Sequence, residues 1–460
     1  MLSFLAETLP LWMFAVMVFG LFTGYPVAFV LGAVGILFGF IGIAMGEFHL
    51  IQFMNLLPRI YRQAVENEVF VAIPLFIFMG SILQKSRVAE DLLLSLQAIL
   101  GGFRGGLAVA VILVGTVLAA MTGMIGASVV VISIIALPLM LSRKYSPEIS
   151  TGSVAAAGTL GILIPPSIML VVMGDMLQTS VAALFAGAIL PGLLLASLYV
   201  IYLLILGFVK PSVGPATPPE ENAFRSGAAF WSLLRALVPP LLLILIVLGS
   251  IYGGFATPTE AAGVGCLGAL LLAAFKRTVS FSALREMLLD ASLTVGMVYF
   301  VIFGATLFSY VFRILGGDDV VHSMLESMGV DTGFHVLMAL MIGVFLLGFF
   351  FDWLEICLIV LPIFGPILVS SDFSSFVATP SHVLVWAAVV VAINMQTSFL
   401  TPPFGFALFY MRGVAPAEIS TLSIYKGVVP FIAIQLVVVA IAIAFPSLVL
   451  FLPRHWGLLF

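Results

Sequence analysis

Long apolar runs separated by short polar segments extend along the whole chain. Eight of these runs are uninterrupted and, allowing for ragged ends, approach the roughly 20 residues that a helix needs to cross a bilayer. The pattern therefore predicts an all-α polytopic membrane protein, with transmembrane helices at residues 11–22, 26–45, 69–84, 184–207, 237–254, 257–275, 291–312 and 427–450.

Two further apolar stretches are too long for a single crossing. Residues 107–141 contain a glycine-rich step at 121–128, and residues 336–368 contain an acidic step, Gly-Phe-Phe-Phe-Asp-Trp, at 348–353. A helix that enters the membrane, turns at its midplane and leaves on the same side fits both stretches. We therefore predict two re-entrant hairpins.

Two more apolar runs, residues 151–172 and 385–411, each contain a Pro-Pro pair among small hydroxyl residues, at 165–166 and 402–403. A proline pair removes two backbone donors and clashes with the preceding turn, so each helix must break at membrane depth. Such a break is tolerated where the freed groups line a cavity or hold a ligand. A matched pair of breaks, one in each half, points to the substrate and ion site of a secondary transporter.

The two halves of the chain carry corresponding features in the same order. We predict a first repeat at residues 1–209, a Pro-rich cytoplasmic linker at 210–235 and a second repeat at 236–460, each repeat containing scaffold helices, an arm, a hairpin and a broken helix. The positions that correspond are Pro26 with Pro258, Gly80 with Gly304, Pro138 with Pro362, and Pro165-Pro166 with Pro402-Pro403.

The distribution of basic residues sets the orientation of these repeats. With residues 1–10 outside and each hairpin returning to its own side, all but four of the 17 basic residues lie inside, as the positive-inside rule requires. The first hairpin then enters from the inside and the second from the outside, so the repeats are predicted to be inverted. Charge does not decide whether the hairpins are re-entrant, because two full crossings also return to the same side.

Two amphipathic segments, residues 48–66 and 278–290, occupy matching places in the two halves. They are too polar to span the membrane and too apolar for solvent, so we expect them to lie along its interface. Two interpretations remain open, since they could be simple surface anchors or arms that brace a fixed scaffold around a moving part.

Composition excludes several other classes of protein. The 460 residues are 63% hydrophobic and 8% charged, which no water-soluble domain of this length could present without aggregating, and no basic tract suggests nucleic acid. No P-loop pattern is present for an ATP-driven pump. The five histidines fall in connecting segments, which argues against haem, a metal enzyme or an intramembrane protease. We expect no enzymatic activity and no tightly bound cofactor.

Three segments together resemble the large membrane subunit of TRAP (tripartite ATP-independent periplasmic) transporters, and the similarity runs over essentially the whole chain. They are Gly-Thr-Leu-Gly-Ile-Leu-Ile-Pro-Pro-Ser-Ile at 158–168, Phe-Ala-Thr-Pro-Thr-Glu-Ala-Ala at 255–262, and Thr-Pro-Pro-Phe-Gly at 401–405 followed by Arg-Gly-Val-Ala-Pro at 412–416. Many members carry a glycine-rich step before the second Pro-Pro, whereas this chain has Asn-Met-Gln-Thr-Ser-Phe-Leu at 394–400, so the resemblance leaves the substrate open.

The resemblance implies sodium-coupled uptake of an organic acid, a carboxylate, across a bacterial inner membrane. It implies an elevator motion of the hairpin-bearing domain against a scaffold. It also implies two protein partners, a small TRAP membrane subunit and a periplasmic substrate-binding protein. The length fits a separate large subunit rather than a fused one.

Sodium is a hard cation that needs about five or six oxygen ligands, which an unwound helix and a facing hairpin tip can supply. Asp352 is the leading candidate, because a carboxylate in an apolar run costs about 2.5–3.5 kcal/mol at the bilayer centre and implies a functional partner. The alternatives are that Asp352 lies shallow and wet, and that Ser128 and Thr159 are packing hydroxyls. The candidate sodium ligands are Gly123, Gly126, Ser128, Thr159 and Gly161 in the first half, and Asp352, Asn394, Thr397, Ser398 and Thr401 in the second.

The same geometry suits an anionic substrate. Half-helices that begin at each break aim backbone N–H groups and positive dipole ends into the cavity, so a carboxylate can be held without a buried arginine. We expect Glu355, one turn from Asp352, to face only the outer vestibule. The candidate substrate-binding residues are Ser128, Thr159, Pro165, Ser398, Thr401 and Pro402.

Two other functions remain open. A channel is the main rival, because re-entrant hairpins also build pores. A structural subunit without transport of its own predicts that removal of the Asp352 carboxylate leaves uptake intact.

Overall fold

The computed structural model describes residues 2–216, 227–330 and 332–459, and residues 217–226 of the predicted linker lie outside this part of the chain. Within these ranges the chain folds into 21 α-helices. The first half contains α1 Leu2–Phe22, α2 Val27–Met45, α3 Leu50–Met54, α4 Leu56–Tyr61, α5 Glu68–Lys85, α6 Val88–Leu100, α7 Gly106–Thr122, α8 Ile125–Ser142, α9 Pro147–Thr159, α10 Ile168–Met176 and α11 Val181–Val209.

The second half repeats much of this order of long and short helices. It contains α12 Gly227–Tyr252, α13 Pro258–Phe275, α14 Phe281–Ile314, α15 Gly317–Ser327, α16 Gly333–Leu347, α17 Trp353–Ser370, α18 Pro380–Leu400, α19 Phe406–Val414, α20 Thr421–Ala444 and α21 Pro446–His455. Ten helices in the described ranges are long and apolar enough to cross a membrane, namely α2, α5, α8, α11, α12, α13, α14, α17, α18 and α20.

Three predicted elements are wrong in their boundaries. The cytoplasmic linker predicted at 210–235 ends inside a helix, because α12 begins at Gly227. The amphipathic segment 278–290 is not a separate arm, because α14 runs without interruption from Phe281 to Ile314 and merges it with the predicted span 291–312. The predicted span 427–450 is divided at Phe445, since Pro446 begins a new helix and has no N–H to continue the ladder of α20. The first amphipathic segment does form a separate unit, made of α3, α4 and a π-helical turn at Arg62–Glu66.

One group of helices pairs the two halves of the chain. α2 packs along α14, and α5 packs along α13. Glycines allow the close approach: a β-carbon built on Gly304 of α14 would lie 2.5 Å from the Ala28 carbonyl oxygen, and one on Gly265 of α13 would lie 2.6 Å from Met79 Sδ. Small residues of this kind bring helix backbones together in membranes, where apolar contact alone does not drive association.

A second group contains the two hairpins and the two interrupted helices. α7 and α8 both pack on α9, and α16 and α17 both pack on α18. The two halves of the chain also meet within this group, because α10 of the first half packs on α17 and α19 of the second half packs on α8. α18 lies at the centre, since 94% of its membrane-spanning window is buried, against at most 61% for the other nine candidate spans.

Replacement of Gly304 by Ala is expected to lower the stability of the protein by about 1–3 kcal/mol, the usual cost of forcing extra atoms into a packed contact. The added methyl group meets the backbone of α2, which cannot rotate away. Gly296→Ala on the same helix is the control, because a β-carbon there meets nothing within 4 Å. Thermal unfolding in detergent should separate the two variants, and equal melting temperatures would contradict the α2–α14 contact.

Candidate functional site

The first interrupted helix breaks inside the protein. α9 ends at Thr159, a 3₁₀ turn follows at Leu160–Ile162, and α10 begins at Ile168. The Ser167 hydroxyl donates to the Ile162 carbonyl oxygen at 2.6 Å, and the Pro165–Pro166 bond is cis. Residues 159–168 are all buried, so the groups freed by the break face protein rather than lipid.

The second interrupted helix breaks at the equivalent place but is more open. α18 ends at Leu400, α19 begins at Phe406, and the Pro402–Pro403 bond between them is also cis. Pro403 is exposed, and Phe404 keeps 53% of its surface accessible. The prediction that each proline pair breaks its helix is therefore confirmed, but the first break is buried and the second is partly exposed.

The ends of the two interrupted helices meet in the core. Gln396 of α18 donates from Nε2 to the Thr159 hydroxyl of α9 at 3.3 Å, and both side chains are fully buried. The two residues are 237 positions apart, the same offset that relates the two proline pairs. Gln396 Oε1 has no hydrogen-bond partner among the described residues. Sequence analysis missed Gln396, although its equivalence to Thr159 was a signal that could have found it.

The first hairpin turns at Gly123 and Met124 and lies on the first break. Gly123 has φ +61°, and a β-carbon built on it would lie 3.3 Å from the Ile168 backbone nitrogen. A β-carbon on Gly161 would lie 3.5 Å from the Ser128 hydroxyl oxygen. Gly126 has a different neighbour, because a β-carbon there would lie 2.7 Å from the Tyr410 ring of α19. The structure thus brings Gly123, Ser128 and Gly161 together beside Thr159.

The second hairpin turns at residues 348–352 and lies on the second break. A β-carbon on Gly348 would lie 2.0 Å from the Ser398 hydroxyl oxygen, and Asn394 Nδ2 donates to the Met341 carbonyl oxygen at 2.7 Å. The Phe350 ring contacts Phe404, with ring centroids 5.5 Å apart. The hairpin tip therefore contacts both the last turn of α18 and the break itself.

Two carboxylates lie at the second hairpin. Asp352 is the N-cap of α17, and its Oδ1 accepts a hydrogen bond from the Trp353 N–H at 2.8 Å. Glu355 is 5% exposed and contacts an apolar pocket that contains Phe14 and Met17, so the expectation that it faces the outer vestibule is wrong. Its Oε2 has no hydrogen-bond partner, and no ion pair among the described residues involves either carboxylate.

The hydroxyls at the breaks share one arrangement. Each donates its hydrogen to a carbonyl oxygen three or four residues earlier in its own helix, which turns its lone pairs away from that backbone. Because the hydrogen of each hydroxyl is already donated, only the lone pairs of its oxygen remain for a ligand, and these suit a cation better than an anion. The bonds are Ser128 to Met124 at 2.8 Å, Thr159 to Ala156 at 3.0 Å, Thr397 to Ile393 at 3.1 Å, Ser398 to Met395 at 2.7 Å and Thr401 to Thr397 at 2.8 Å.

Ten apolar spans, two interrupted helices, and hydroxyls and carboxylates at the breaks and hairpin turns define a polytopic membrane protein of the secondary-transporter class. The chain belongs to the family described as "Tripartite ATP-independent periplasmic transporter, DctM component", whose family model matches residues 13–448. It is a multi-pass permease subunit of the bacterial inner membrane and not an enzyme.

Several proteins of known assignment are similar over most of the chain. The C4-dicarboxylate TRAP transporter large permease protein DctM of Pseudomonas aeruginosa is 32% identical over 396 residues, which cover 85% of this chain and 88% of that protein. The ectoine TRAP transporter large permease protein TeaC of Halomonas elongata is 29% identical, covering 83% and 85%. The isethionate TRAP transporter permease protein DctMQ of Oleidesulfovibrio alaskensis is 32% identical, covering 84% of this chain and 58% of that one.

A solved structure is similar in fold. The YdaH transporter of Alcanivorax borkumensis superimposes with a TM-score of 0.59 over 88% of this chain and 89% of that one, at 14% sequence identity. The likeness concerns the arrangement of helices alone.

Proposed function

We propose that this subunit takes up an organic acid by coupling it to the inward movement of sodium. The observation that carries the proposal is the pair of carboxylates at the second hairpin, which have no basic partner among the described residues. Uncompensated negative charge at membrane depth is costly and favours a bound cation. The hydroxyls of Ser398, which faces Gly348 of the hairpin tip, and of Thr401, at the end of α18, offer oxygens of the kind that a hard cation requires.

The proposed substrate is an organic anion, with a carboxylate as the group that is recognised. The N-termini of α10 and α19 follow the two breaks, and the positive ends of their dipoles stabilise negative charge within their first turns. The similar permeases named for C4-dicarboxylates and ectoine support a carboxylate, whereas the one named for isethionate, a sulfonate, supports a small organic anion more generally. In this proposal Pro165 and Pro402 border the acid, and the hydroxyl oxygens of Ser128, Thr159, Ser398 and Thr401 face the sodium that accompanies it.

We propose an elevator movement, in which the hairpins and interrupted helices travel against a scaffold of α2, α5, α13 and α14. A cleft of about 720 Å³ between the two groups supports it, lined on one side by Arg59, Tyr310 and Arg313 and on the other by Asp175 and Pro362. Few polar contacts between the described residues cross this cleft. They include hydrogen bonds to the Asp175 carboxylate from Asn67 at 2.8 Å and Gln63 at 3.4 Å, and one from Arg313 to the Pro362 carbonyl oxygen at 2.8 Å.

We also propose that the repeats at 1–209 and 236–460 are inverted and that both hairpins are re-entrant. The subunit is further proposed to act with two partner proteins. The crossed packing of α10 on α17 and of α19 on α8 is the arrangement that two inverted repeats would produce. The partners are a small membrane subunit and a periplasmic binding protein that delivers the acid.

Reconstitution in proteoliposomes with both partners tests the function. Uptake of a labelled acid from a panel of dicarboxylates, ectoine and isethionate should saturate with substrate, require an inward sodium gradient and stop without the binding protein. A gradient of potassium in place of sodium is the control. A voltage-driven current that needs neither sodium nor the binding protein would instead favour the channel.

A further inference from the structure

A second cleft lies between α6, the first turns of α12 and the C-terminal end of α13, and none of its lining residues belongs to either hairpin. Its volume is about 760 Å³. Its lining combines polar and apolar side chains, namely Asp91, Leu94, Ser95, Trp231, Ser232, Arg235, Ala236 and Lys276. In the orientation given by the basic residues, this cleft opens at the cytoplasmic edge of the membrane.

The cleft carries an excess of positive charge. Lys276 is paired with Asp91, whereas Arg235 has no carboxylate partner among the residues that the structure describes. The hydroxyls of Ser95 and Ser232 lie 3.0 Å apart and join α6 to α12. One unpaired guanidinium beside an ammonium and two hydroxyls matches a single phosphate diester in charge and in hydrogen bonding.

An apolar track leads from the cleft toward the membrane centre. Trp231, Arg235, Val238, Leu242 and Leu245 follow one another at spacings of four and three residues, so they lie on one face of α12. All five side chains are exposed, Trp231 to 62%. Tryptophan is enriched where headgroups meet acyl chains, and basic clefts between transmembrane helices on the cytoplasmic side bind anionic headgroups.

We propose that this cleft binds one anionic phospholipid of the inner leaflet. Arg235 and Lys276 contact its phosphate, Trp231 lies beside the glycerol region, and an acyl chain follows Val238, Leu242 and Leu245. Because α6 joins α5 to the first hairpin, a lipid held between α6 and α12 supports the connection between the scaffold and the proposed moving part. The proposal does not depend on which solute is carried.

The test uses the purified chain in detergent, with thermal unfolding and native mass spectrometry as readouts that need no transport. Phosphatidylglycerol should raise the melting temperature and remain bound, whereas phosphatidylcholine and inorganic phosphate should do neither. Arg235→Gln should weaken phosphatidylglycerol binding by about fivefold, the effect of one basic residue near an anionic surface. Arg285→Gln is the matched control, because Arg285 is an exposed arginine in the first turns of α14 and outside the cleft.

Three results would overturn the proposal. Equal stabilisation by phosphatidylcholine would mean a nonspecific lipid surface, and equal stabilisation by inorganic phosphate would mean a site for free anions. Loss of the bound lipid when the small subunit is added would mean that the cleft is a subunit interface. Since Arg235 is exposed, Arg235→Gln should fold, and its melting temperature without lipid verifies this directly.

Discussion

Replacement of Asp352 by Asn is expected to weaken sodium-stimulated uptake in proteoliposomes strongly, by lowering the apparent affinity for sodium. A unit charge about 4 Å from a cation contributes roughly 4 kcal/mol at an effective dielectric constant of 20. Allowing the amide oxygen of Asn to recover part of this energy, the apparent sodium affinity should fall by roughly 100-fold. Initial rates measured over a range of external sodium concentrations would give this shift.

Asn is chosen because Asp352 has a second role that must be kept constant. Its carboxylate caps α17 by accepting from the Trp353 N–H, and Asn is as good an N-cap residue as Asp. Asp352→Ala removes the cap as well and should cost a further 0.5–2 kcal/mol or so in stability. The Asn variant therefore measures the effect of the charge on sodium binding while the helix cap is kept.

Asp372 supplies the matched control for this experiment. Its carboxylate also accepts a hydrogen bond from a nearby backbone N–H, that of Ser374 at 2.8 Å, but it is exposed, and this bond holds its pKa below the usual value. Asp372→Asn should leave sodium dependence unchanged. If Asp352→Asn also retained full sodium dependence, the carboxylate would be a helix cap alone, and the structural-subunit hypothesis would gain support.

The sequence predicted the local features of this fold well, because prolines and glycines act on the backbone where they stand. The hairpin predicted at 107–141 corresponds to α7 and α8, and the hairpin predicted at 336–368 corresponds to α16 and α17. The break predicted at the second Pro-Pro pair begins directly after Leu400. At the first hairpin the positive φ of Gly123 ends α7, and at the second break the missing donors of the proline pair end α18, so both stops are local to the sequence.

The features that sequence analysis missed depend on contacts between distant parts of the chain. In the sequence, Gln396 looks like an ordinary polar residue of a helix. Its hydrogen bond to Thr159, which only the fold reveals, places it between the two breaks. Glu355 was expected in water, yet α1 packs against its pocket with Phe14 and Met17. Periodicity within one helix reports which face is apolar, but it does not report which helix will cover that face.

Gly348→Ala is expected to displace the second hairpin tip and reduce uptake at least tenfold, since displacements of about 1 Å can cost roughly 100-fold in a site that depends on positioning. The new methyl carbon would lie 2.0 Å from the Ser398 hydroxyl oxygen and 2.7 Å from Ser398 Cβ. Rotation of the hydroxyl relieves only the first clash, so the backbone of the tip or of α18 must move. Gly343→Ala, one turn earlier in α16, is the control, because a β-carbon there meets nothing within 4 Å.

A double-mutant cycle shows whether the Gly348 effect arises from this one contact. Ser398→Gly removes both clashing atoms, so the Gly348→Ala/Ser398→Gly protein should be more stable than the sum of the single variants predicts, with a coupling of about 0.5–3 kcal/mol. Melting temperature is the readout for the cycle, because Ser398 is itself a candidate ligand and its loss lowers uptake for a separate reason. Additive effects would mean that the tip of the second hairpin and α18 are not in contact. The proposed site would then lack the contact that holds the second hairpin against the second break.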